Sequence, residues 1–164
     1  MQSLYPCLWF DGNAEEAANF YTAIFKNSKI GRISRYSKDA AKASGQPVGS
    51  AMVVMFQLDG HEFMGLNGGP QFKFTEAVSF VVNCETQEEV DHYWEKLSAG
   101  GRRHRCGWLY DRFGLAWQIV PTALAKLMSG PDPEQTNRVM QALLQMDKLD
   151  IATLQKAYDG PSAK

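Results

Sequence analysis

The three cysteines of this chain, Cys7, Cys84 and Cys106, lie too far apart to make a Cys-x-x-Cys pair. An odd, scattered set excludes a zinc ribbon and a disulfide scaffold, and a reducing, cytoplasmic setting is expected. Net charge is nearly missing as well: 17 Lys and Arg stand against 18 Asp and Glu, leaving −1. No long-range field draws such a chain to nucleic acid or an anionic membrane, so neither is expected as a partner. The local basic run Arg102-Arg103-His104-Arg105 reads as a solvated loop. No apolar stretch is long enough to span a bilayer. Tyr5-Pro6-Cys7-Leu8-Trp9-Phe10 has no basic leader before it, so no secretory signal is expected.

What is present is an order of elements that occurs twice. In the first copy Leu4–Phe10 reads as a strand, and Asn13 with Glu16 looks like a capping box. Ala17, Phe20, Tyr21, Ile24 and Phe25 then follow helical spacing. Residues 30–36 read as a strand, 37–49 as a mobile loop, and 50–67 as a hairpin turned by Asp59-Gly60. The second copy has a strand over 77–82, then a helix capped by Thr86 and Glu89 that carries Val90, Tyr93, Trp94 and Leu97. A hairpin over 106–120 follows, turned by Asp111-Arg112-Phe113-Gly114. Phe20-Tyr21 and Tyr93-Trp94 match in position within their helices. The second copy is shorter between helix and hairpin, with no room for a full extra strand. After Pro121 come three short amphipathic helices, too small for a core of their own and expected to pack on the repeats or on a second subunit. The expected division is 1–70, 71–121 and a helical extension over 122–164, within one structural domain.

This repeat carries Trp9-Phe10-Asp11-Gly12-Asn13-Ala14-Glu15-Glu16-Ala17, Leu66-Asn67-Gly68-Gly69-Pro70, Glu88-Glu89-Val90-Asp91 and the stretch from Cys106-Gly107-Trp108 to Trp117-Gln118-Ile119-Val120-Pro121. With them the chain resembles the vicinal oxygen chelate (glyoxalase/bleomycin-resistance) superfamily. The closer likeness is to its PhnB-like branch, labelled 3-demethylubiquinone 3-methyltransferase-like. The resemblance runs from Leu4 to Tyr158. It implies an α+β fold of paired βαβββ modules around a ligand cleft, with the helical extension added, and a homodimer. It also implies four metal-ligand positions, which count out to Pro6, Gly65, Ala77 and Gln118. Only Gln118 has a donor side chain, so no metal and no other cofactor is expected.

Since inherited ligand positions face the cleft and strand side chains alternate, the expected ligand-binding set is Phe10, Met52, Val54, Phe56, Phe63, Asn67, Ser79, Leu109 and Gln118. This set is apolar and aromatic, with three neutral polar groups and no general base. The same residues also suit a filled core between modules. No catalytic residue is identified. Cys106 is a weak candidate, readable as a reactive thiol beside the basic run or as a structural cysteine. Leu66–Pro70 is glycine-rich but opens no helical pattern, which gives the methyltransferase label little support. The reading favoured by these residues is a metal-free protein that binds a small molecule. The alternatives are an enzyme acting on a small metabolite through Cys106 or Gln118, and a structural homodimer.

Overall fold

The computed structural model describes residues 4–161. The chain divides into two compact units, 1–74 and 75–164. The first contains β1 (Cys7–Phe10), α1 (Ala14–Ile24), β2 (Lys29–Arg35), α2 (Lys38–Ser44), β3 (Ala51–Leu58) and β4 (His61–Asn67). The second contains β5 (Ser79–Cys84), α3 (Gln87–Ser98), β6 (Arg102–Arg103), β7 (Trp108–Tyr110), β8 (Ala116–Pro121), α4 (Thr122–Met128), α5 (Pro133–Leu143) and α6 (Ile151–Asp159). The sheets run β1-β4-β3-β2 and β5-β8-β7-β6, the same order twice. In each, the outer pair β1/β4 or β5/β8 is parallel and the rest is antiparallel. The α+β fold of paired modules with a helical extension is therefore present. The second module does hold a fourth strand, contrary to the expected gap, but β6 has two residues where β2 has seven.

Three local departures have simple causes. Residues 37–49 are not all loop. Ser37 Oγ accepts from the Ala40 N–H, the alanines favour helix, and Gly45 at φ +73° ends α2. Asn13 does not cap α1 with its side chain. The amide of Asn67, 53 residues away, does that work: its Oδ1 accepts from Ala14 N at 2.9 Å. Finally, the C-terminal helices do build a small core, from Leu127, Val139, Leu149 and Leu154. They also dock on the second module. Gln87 bonds the backbone of Leu149 and Ile151, Lys148 pairs with Asp91 at 2.7 Å, and the N–H groups of Cys106 and Gly107 reach the carbonyls of Met146 and Asp147.

In the first unit α1 covers one face of the sheet. Leu8, Phe10, Val54, Phe56, Leu58 and Phe63 are buried with Ala14, Ala17, Ala18 and Tyr21 from the helix. Gly65 lets the helix approach, since a Cβ there would stand 3.1 Å from the Cβ of Ala14. In the second unit Val82, Cys84, Leu109, Trp117 and Ile119 are buried, as are Val90, Trp94 and Leu97 of α3. The turn between β7 and β8 is fixed by buried Asp111. Its Oδ1 accepts from Phe113 N and Leu115 N, and its Oδ2 from Trp117 Nε1.

Two consequences can be measured. Asn67→Ala strands the Ala14 N–H and the Ala51 carbonyl, both bonded by the Asn67 side chain, so urea unfolding should show a loss of about 2–4 kcal/mol. Burial, with Glu89 nearby, pushes the Cys84 thiol from its ordinary 9.0 up to about 12. Cys84 should therefore resist a thiol reagent in the folded protein while exposed Cys7 reacts. Because the fold favours the neutral thiol, its contribution is complete below pH 9 and fades toward 12, and urea midpoints should fall across that window.

Candidate functional site

With α1 on one face, the opposite face of the first sheet is open. Side chains of Val53, Met55, Gln57, Glu62 and Met64 alternate with the buried set and are half-buried. They border a hollow of about 620 Å³ together with Tyr5, Lys29, Gly31, Arg32, Ser34 and Met52. That volume suits a small organic molecule. The floor is methionine-rich and the polar groups stand in a row: Lys29 pairs with Gln57 across β2/β3, and Gln57 with Glu62 across β3/β4.

This is the other face from the one expected. Phe10, Val54, Phe56, Phe63 and Asn67 sit on the α1 side. Phe56 stacks on Tyr21 at 6.2 Å and on Phe63 at 5.4 Å, and Phe10 meets Phe74 edge-on at 5.4 Å. Phe56 still borders the hollow. Asn67 is 3% exposed and its amide is committed to Ala14 and Ala51, while its carbonyl accepts from the Tyr36 hydroxyl. The reversal follows from taking Gly65 as cleft-facing; a shift of one residue turns every side chain over. Met52 does line the hollow, because β3 has a register shift there. Ser34 pairs with Val53 and Arg35 with Ala51, so Met52 and Val53 together oppose the step and face the open side.

The residues that line the hollow outside the expected set are Tyr5, Lys29, Gly31, Arg32, Ser34, Val53, Met55, Gln57, Glu62 and Met64. A signal for some of them was available. On the hairpin, one face reads Val54, Phe56, Leu58, Phe63, Gly65, and the other Val53, Met55, Gln57, Glu62, Met64. The face with charge and amide is the one to leave open.

In the second unit Ser79 and Gln118 are brought together, Gln118 Nε2 donating to Ser79 Oγ at 2.9 Å. They share the uncovered face with Val81, which is 53% exposed. Leu109 is on the buried face; it pairs with Trp117, and Trp108 lies opposite Gln118. The β7/β8 loop holds five residues between Tyr110 and Ala116, one more than expected, and that reverses the pair. Cys106 borders a shallower depression of about 330 Å³ with Glu76, His104, Arg105, Trp108 and Tyr110. The Tyr110 hydroxyl donates to Glu76 at 2.9 Å and Arg102 lies 4.3 Å above its ring. A backbone hydrogen bond and that hydroxyl hold the Glu76 carboxyl below its usual range; desolvation, then Glu76, raises Tyr110. The Cys106 thiol donates to Leu143 O at 3.6 Å, in the segment that docks the C-terminal helices.

The donor set does not fit the divalent cation that the superfamily implies. Of the positions counted from the resemblance, Pro6, Gly65 and Ala77 carry no donor and Gly65 faces α1. On the open face, Glu62 is the one carboxylate bordering the hollow, and no cluster of three or more His, Cys, Asp or Glu able to hold an ion occurs among the described residues. Nor does the glycine-rich piece fit an S-adenosylmethionine loop. Gly68 and Gly69 seat an indole: a Cβ on Gly68 would fall 2.1 Å from the Trp9 ring, whose Nε1 donates to Gly69 O. No helix starts there.

Residues 2–120 match the family described as 3-demethylubiquinone-9 3-methyltransferase. The helices α4–α6 begin beyond that match. A Bacillus cereus PhnB protein, described as a putative 3-demethylubiquinone-9 3-methyltransferase, is 36% identical with a TM-score of 0.66, over 74% of this chain and all (100%) of that one. Two more distant structures share the fold. PA1353 from Pseudomonas aeruginosa is 19% identical, with a TM-score of 0.58 over 74% of this chain and 98% of its own. The fosfomycin resistance protein FosX of Listeria monocytogenes is 17% identical, with a TM-score of 0.53 over 79% of this chain and 100% of its own. No curated protein matches. With the doubled β-α-β-β-β order, this match over most of the chain leads to one conclusion: the chain belongs to the PhnB-like 3-demethylubiquinone-9 3-methyltransferase family of the vicinal oxygen chelate superfamily.

Proposed function

We propose that this protein binds a small organic molecule, without a metal ion, on the open face of its first sheet. The observation that carries the reading is the hollow of about 620 Å³ floored by Met52, Met55 and Met64. Methionine side chains are flexible and polarizable, and a floor of them adapts to an apolar or aromatic body. Gln57, Ser34 and the charged groups at the edge supply the few orienting hydrogen bonds that such sites use. The expected members of the second-module set, Ser79 and Gln118, belong to a separate polar pair in this reading. An enzymatic role for Cys106 has less behind it, because its thiol bonds a backbone carbonyl. The ubiquinone-pathway methyl transfer in the family label has no supporting residue among the described ones.

The chain works as a homodimer in this reading, in a reducing cytoplasmic setting that suits its three free cysteines. The support for a dimer is apolar exposure on one sheet edge: Val78 and Val81 are 65% and 53% exposed on and beside the edge strand β5. Among the described residues no helix is long and apolar enough to cross a membrane.

Two measurements test these statements. In a thermal-shift screen against a metabolite panel, a ligand at a hundredfold excess over its Kd should raise Tm by roughly 5–10 °C. Met64→Trp, which fills the floor of the hollow, should abolish that shift; a shift that survives it, or a panel with no hit, refutes the site. Light scattering after size exclusion should give the dimer mass for the natural chain and a larger monomer fraction for Val81→Asp. A monomer throughout would refute the assembly.

A further inference from the structure

The hollow has a chemical polarity that its volume alone does not express. On the β2 side stand Lys29 and Arg32; on the β4 side stands Glu62. Arg32 is there because β2 carries a bulge. Ile30 pairs with Phe56 and Ile33 with Val54, so Gly31 and Arg32 together oppose the single residue Met55. Plain alternation from Ile30 would put Arg32 on the α1 face. The extra residue turns the guanidinium to the open face, and Gly31, with no side chain, leaves the space above Met55 clear. Bulges are a recurrent means of re-aiming a side chain beside a site. Neither Arg32 nor Lys29 makes an ion pair with a described residue, whereas the neighbouring Arg35 is paired with Glu15 on α1.

We propose that the ligand of this hollow is an amphipathic organic anion: an apolar or aromatic body over Met55 and Met64, with a carboxylate or phosphate-monoester head held by Arg32 and Lys29. This rests on the binding site described above and adds the ligand's charge and orientation. The guanidinium fork matches the two oxygens of such a head, and Lys29 adds a second positive charge on the same strand. Glu62 stands two strands away in the row Lys29, Gln57, Glu62, so the two cations lie together at the β2 side and the head is held there. The local balance of two cations to one carboxylate favours an anion in a chain whose overall charge is only −1.

Calorimetric titration with 2-naphthoate, 2-naphthyl phosphate and neutral 2-naphthamide separates the possibilities. At least one anion should bind about tenfold or more tightly than the amide, and the better of the two identifies the head group. In Arg32→Gln/Lys29→Gln that preference should shrink to within about twofold. Both charged positions are exposed, so the variant is expected to fold, and circular dichroism checks it. Equal binding of all three probes, abolished by Met64→Trp, would overturn the anion assignment and leave the site in place. Binding of none of them at millimolar concentration, or binding insensitive to Met64→Trp, would overturn both.

Discussion

One buried amide decides which side of the first sheet is available. The side chain of Asn67, at the end of β4, bonds the first N–H of α1 and the carbonyl of Ala51 at the start of β3; its own carbonyl takes the Tyr36 hydroxyl. Three segments distant in sequence are thereby tied to one point. An amide with donor and acceptor both satisfied is stable in a buried place, and costly if either partner is lost. Once the start of α1 is pinned there, the helix has to lie across Gly65 and cover Val54, Phe56 and Phe63. The methionine-lined face is what remains.

The second module solves the same problem with other residues. Asp111 gathers the β7/β8 turn and the Trp117 indole, and so commits the Trp117 side of that sheet to α3. The depression bordered by its Trp108 is smaller, about 330 Å³, and Val81 stands exposed on its open face. The Cys106-Gly107 piece, at first sight a reactive motif, is backbone carpentry: Cys106 at φ +59° and Gly107 at φ +81° present their N–H groups to the loop between α5 and α6. A Cβ on Gly107 would fall 2.7 Å from Ile119 O, which is why glycine is required there. The two modules share a topology and have diverged in what each open face offers.

Much of the fold was legible in the sequence because the signals were local. Asp59-Gly60, both at positive φ, turns its hairpin as the dipeptide demands, and Thr86 caps α3 as its spacing predicts. The capping of α1 was not legible, since its acceptor comes from Asn67, 53 residues away. The face that carries the hollow was lost to a count of one. Period-two alternation was read correctly along β4, but its phase was taken from an inherited position at Gly65 and not from the chain's own chemistry. The phase that places glutamine and glutamate outward was written in Gln57 and Glu62 all along.

Alternation also has a limit that no choice of phase repairs. Two register shifts interrupt it, one opposite Met55 and one at Met52, and each adds a side chain to the open face that strict alternation would bury. The first contributes Arg32 and the second Met52. A bulge has little local signature; Gly31 permits one but does not require it. What selects the bulged register is the pairing on either side, where Ile30 and Ile33 both have to face α1 although they are three residues apart. Setting two half-buried isoleucines on the same side across an odd spacing forces the extra residue outward, so the apolar packing of one face determines the charge presented on the other.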